Sequence, residues 1–169
     1  MSYIMTFTGK RFDPMSPTLD DINIEDIAHA LSMMCRFGGH CLRYYSVAEH
    51  SILMAQKATK KNKLWALLHD ASEAYIVDVP RPLKSHLGGY KECEKNIMAV
   101  ICEKFGLPQD MPDEVKHLDE TILATECNHN MVSVPDNLPF VSNPLNVRLQ
   151  YWNPTDAEER FLGFFYSLR

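Results

Sequence analysis

The sequence predicts an all-α fold, a compact helical bundle behind a short N-terminal hairpin. Three observations point there. Apolar residues recur at i, i+3 and i+4 through most of the chain, capping residues stand ahead of these runs, and glycine or proline closes them. At the N-terminus, Tyr3 to Phe12 alternates in part and turns at Gly9-Lys10, the pattern of a hairpin; Pro14 and Pro17 then favour loop. A first helix is expected from Ile24, through Ile27, Ala28, Leu31 and Met34, with Glu25 and Asp26 in the first turn and Gly38-Gly39 at its end. Ser46 and Glu49 have capping-box spacing, so a second helix should run from Val47 to about Thr59.

A third helix is read from Asn62 through Tyr75, its apolar face made by Leu64, Leu67, Leu68, Ala71 and Tyr75 and its end by Pro80 and Pro82. The fourth, Tyr90 to Phe105, stops at Gly106 and Pro108. A fifth begins at Pro112 or Asp113 and carries Val115, Leu118, Ile122 and Leu123. Thr155 with Glu158 opens a last helix containing Phe161, Phe164 and Phe165, and Met131 to Pro154 reads as a long loop.

Composition narrows the function classes. The 169 residues, 46% hydrophobic and 23% charged, suit a single globular domain with a real core. A net charge of -5 argues against a broad nucleic-acid surface, which needs a basic face, but leaves room for a small anionic ligand. Five cysteines without a C-x-x-C pair suit reduced thiols in a cytoplasm. Neither a signal peptide nor an apolar run long enough for a bilayer is visible, so no membrane partner is expected.

Chemistry is expected where polar residues face inward. His69, Asp70 and Glu73 interrupt a largely apolar helix. His50, three residues after Val47 and four before Met54, faces the core with them. Asp119, four after Val115 and three before Ile122, does the same on another helix. Unpaired burial of such groups costs several kcal/mol, on the order of what a cation or a hydrogen-bond partner offsets. Two imidazoles and two carboxylates form a mixed N/O set suited to a divalent transition metal such as zinc, manganese, cobalt or iron.

The order His, His-Asp, Asp resembles the HD-domain metal-dependent phosphohydrolases. The resemblance extends through Ser46-Val47-Ala48-Glu49-His50-Ser51, His69-Asp70-Ala71-Ser72-Glu73-Ala74 and Asp78-Val79-Pro80-Arg81-Pro82-Leu83-Lys84, within roughly residues 24 to 126. It is nearest the subgroup of bacterial 5′-deoxynucleotidases and small phage-type dATP triphosphohydrolases. The resemblance implies an HD-domain helical bundle in which His50, His69, Asp70 and Asp119 hold the metal and Glu73 and Asp78 are the catalytic acids.

Arg36 and Lys84 are candidate phosphate-binding cations, joined by Lys116 and Arg81 near the motifs. Phe37 is a candidate for base stacking, where the family commonly has Arg-Trp, and His40 for a contact to phosphate or ribose. These cations and the short chain place dNTP triphosphohydrolysis, dATP by resemblance, ahead of release of phosphate from a dNMP. A non-catalytic nucleotide sensor is a third reading, and a di-iron bundle ranks last for want of paired Glu-x-x-His motifs. The expected partners are a nucleotide, with magnesium possible alongside it, and further copies of the chain; no nucleic acid is expected.

Overall fold

The computed structural model describes residues 3–134 and 143–169, and they are mostly helical. The expected hairpin is present as two short antiparallel strands, β1 (Ile4–Met5) and β2 (Arg11–Phe12), with Ile4 opposite Phe12 and Gly9 turning the chain at φ 81°. Eight α-helical segments follow: α1 (Ile24–Met33), α2 (Val47–Lys57), α3 (Lys63–Leu68), α4 (Glu73–Ile76), α5 (Arg81–Lys84), α6 (Tyr90–Phe105), α7 (Asp113–Asn130) and α8 (Pro154–Ser167). None is long and apolar enough to cross a membrane.

Helix α2 lies at the centre, against α1, α3, α7 and α8. Every residue from Val47 to Ala55 is buried, so this helix has no solvent face until Gln56 and Lys57. That central position is what buries His50. It also buries Glu49, and here the capping box is only half made. The Ser46 hydroxyl accepts from the Glu49 amide at 3.0 Å, but the Glu49 carboxylate does not return to Ser46. It accepts instead from the amides of Gln150, Tyr151 and Trp152, at 2.6, 3.0 and 2.8 Å, and so clamps the segment leading into α8. That segment belongs to the expected loop; residues 135–142 of the loop lie outside those described.

Three boundaries differ from expectation. Helix α1 ends at Met33, and Arg36–Gly39 forms a separate 3₁₀ turn in which Phe37 and Gly38 take positive φ, 58° and 59°. The expected Asn62–Tyr75 helix is divided into α3 and α4. Between them the chain tightens to three-residue bonds, Ala71 N–H to Leu68 and Glu73 N–H to Asp70, both 3.0 Å. Residues three apart then share a face, which puts Asp70 and Glu73 on one wall. Finally, α8 is capped by Asn153, accepting from Asp156 N–H at 2.9 Å, not by Thr155.

Candidate metal centre and adjoining cavity

His50 from α2, His69 from the end of α3 and Asp119 from α7 converge so that one ligand atom of each lies within 4.8 Å of the others. The two imidazole Nε2 atoms are 3.1 Å apart, and Asp119 Oδ1 is 3.4 Å from that of His50. Asp70 Oδ2 approaches to 3.1 Å from His69 Nε2 and 3.7 Å from His50 Nε2. Ligands at ~2.0–2.1 Å from a tetrahedral ion stand roughly 3.3 Å from one another. The observed separations straddle that value, so this group could hold a metal ion.

The tautomers favour the same reading. His50 Nδ1 donates to Glu126 Oε1 at 2.6 Å, and His69 Nδ1 donates to the Ala66 carbonyl at 2.8 Å. With both Nδ1 protons committed, both Nε2 lone pairs point into the same gap, which is tolerable only if a proton or a cation is shared there. Burial works against charge on His69, yet Asp70 and Asp119 overcome it and raise this imidazole to about 9. Burial likewise opposes the charge of Asp70, but His69, His50 and Arg36 hold it well below the usual carboxylate range.

A consequence can be measured. Metal entry at pH 7 should displace the His69 proton, releasing about one proton per ion and weakening affinity about tenfold for each pH unit lost below 9. Calorimetric titration in buffers of different ionisation enthalpy reads this directly; heats independent of buffer would mean that His69 is already neutral.

Beside the cluster opens a cavity of about 330 Å³, at the lower end of the ~300–1,000 Å³ typical of small-molecule sites. Asp70, Glu73, Asp78 and Asp119 line it together with Arg36, Arg81 and Lys84, and Phe37, Val79, Pro80, Pro82 and Leu123 supply apolar wall. Val77, at φ 64°, redirects the chain at the end of α4 so that Asp78 and the following prolines reach the cavity. His40 and Lys116 do not line it; both are exposed. His40 follows the reversed Phe37-Gly38 backbone, and Lys116, three residues before Asp119 on α7, stays exposed, while Arg81 is the cation that meets Asp119 Oδ2, at 2.9 Å.

The chain matches no family model. Over 126 residues it is 50% identical to the uncharacterized protein YfdR of Escherichia coli strain K12, covering 75% of this chain and 71% of YfdR. The chain belongs to the YfdR family. An uncharacterized protein of Rhodobacter capsulatus is 40% identical over 119 residues, 64% of this chain and 61% of its own length. Neither relative carries an activity in its name.

The cations of the cavity are all engaged. Arg36, 8% exposed, faces Glu126 Oε2 at 3.1 Å and Asp70 Oδ2 at 3.6 Å; Lys84 Nζ lies 2.8 Å from Glu94 and 3.4 Å from Glu73. Glu73 is buried next to the carboxylates of Asp70 and Asp78, and burial and these charges push it up to about 9 despite Lys84. Its surroundings therefore favour the protonated carboxyl. Glu94 and Glu126 were not anticipated from the sequence. Glu126 had a signal, since it follows Asp119 by seven residues, two turns along the same face of α7.

Proposed function

We propose that this protein is a metal-dependent phosphohydrolase acting on the 5′-phosphate of a deoxynucleotide. The observation that carries the reading is the juxtaposition of the His50, His69 and Asp119 group, with Asp70 at 3.1 Å from His69, and a cavity wall holding both an acid, Glu73, and cations. The motif resemblance to HD-domain phosphohydrolases supports the same class. A divalent transition metal held by His50, His69, Asp70 and Asp119 would supply a water of lowered pKa and polarise a phosphoryl oxygen. Arg36 would fix the phosphate beside that group, Asp78 would orient the attacking water, and Glu73 would give its proton to the departing nucleoside oxygen. Phe37 and the proline wall offer apolar surface to a base, and copies of the chain are expected to associate.

The pairing of the cations favours a monophosphate over a triphosphate, reversing the order expected from the sequence. Arg36, Arg81 and Lys84 each already face a carboxylate, and His40 and Lys116 stand outside the cavity. Little positive charge is left to receive β- and γ-phosphates. Lys84→Ala should lower dAMP turnover by about tenfold, because it removes the cation that stands 3.4 Å from the Glu73 carboxyl and holds that acid in place. Removing this cation also raises the pH at which Glu73 loses its proton. Product analysis with dAMP and dATP tests the choice: selective loss of dATP hydrolysis in Lys84→Ala, with dAMP cleavage untouched, would restore the triphosphate reading.

A further inference from the structure

Glu126 does not line the cavity and has no part in the proton transfers above, yet it is completely buried. Full burial of a carboxylate is strongly disfavoured unless donors and cations surround it. Both oxygens are committed. Oε1 receives the Nδ1 proton of His50 at 2.6 Å, and Oε2 receives Arg36 Nη2 at 3.1 Å. The two donors serve different parts of the site: His50 belongs to the metal-ligating cluster, while Arg36 forms cavity wall and reaches toward Asp70.

We infer that Glu126 is a positioning residue that couples the metal centre to the phosphate-binding arginine. Through Oε1 it fixes the Nδ1–H tautomer of His50, leaving Nε2 free to bind the ion; through Oε2 it anchors Arg36 at the cavity. The first half rests on the metal cluster alone, and the second on the reading of the cavity as a phosphate site. A carboxylate is needed because both neighbours donate. Glutamine has a single carbonyl oxygen, so it can satisfy one of them only and turns an NH₂ toward the other.

Glu126→Gln, as full-length protein, should therefore bind Co²⁺ about 10–100-fold more weakly, the usual cost of losing a histidine's outer partner. The KM for dAMP should rise about tenfold, with kcat falling less. Because the KM effect runs through Arg36, adding Arg36→Gln to Glu126→Gln should raise KM no further than Arg36→Gln alone. A purely structural ion pair would instead lower the melting temperature and leave the Co²⁺ Kd and KM of the folded protein at wild-type values; that result overturns the inference. Should Glu126→Gln not fold, nitrogen-15 spectra of the zinc-loaded wild type decide: a slowly exchanging proton on His50 Nδ1 is expected, and one on Nε2 overturns it. If wild-type protein binds Co²⁺ but cleaves no nucleotide, the functional reading fails while the Co²⁺ comparison still tests the role of Glu126 at the metal.

Discussion

Glu73→Gln is expected to lower dNMP turnover by about 10²–10⁴-fold, the usual contribution of a general acid, while metal content stays at the wild-type level. Glutamine keeps the size of the side chain and removes only the proton that can be given away. The same variant should be more stable than wild type in metal-free form. Folded Glu73 holds its proton to about 9 against an ordinary 4.5, because burial and the charges of Asp70 and Asp78 disfavour its anion. Its contribution to stability is therefore fully present below pH 4.5 and is lost as pH rises toward 9. Thermal melts of the two metal-free proteins should coincide near pH 4 and diverge in favour of Glu73→Gln by pH 8. Loss of metal from Glu73→Gln would make Glu73 a ligand, and melts that stay together to pH 8 would mean that its carboxyl ionises normally.

The largest effect on the metal is expected from His69→Ala. It removes one imidazole of the pair 3.1 Å apart and leaves Asp70 without its nearest positive partner. Bound metal should fall from about one ion per chain to near none, and hydrolysis should fall to background. Asp70→Ala should do the same. Elemental analysis of the purified proteins is sufficient; full occupancy in His69→Ala would remove this residue from the centre.

Much of this arrangement was legible because it depends on local periodicity. The apolar spacing around His50, His69 and Asp119 pointed these polar groups inward, and the fold places them together. Asp70 and Glu73 were also expected on one element, although the tightening between α3 and α4 that aligns them has no periodic signature. What escaped notice depends on partners distant in sequence. Glu49 has capping-box spacing, but its acceptors are used by amides about a hundred residues away. Glu126 looked like one more polar residue of α7 until His50 and Arg36 arrived from other elements. His40 and Lys116 failed in the opposite sense. They were placed by nearness in sequence to the motifs, but after the left-handed turn at Phe37 His40 is exposed, and so is Lys116 on α7; neither lines the cavity.

In the proposed reading, a single ion held by His50, His69, Asp70 and Asp119 makes this site a phosphohydrolase. Titrating Mn²⁺ into metal-free protein while following phosphate release from dAMP tests it most directly. Release should be absent at the start, rise in proportion to occupancy and level off at about one ion per chain. Release that persists under chelation, or none at full occupancy with any deoxynucleotide, would contradict it.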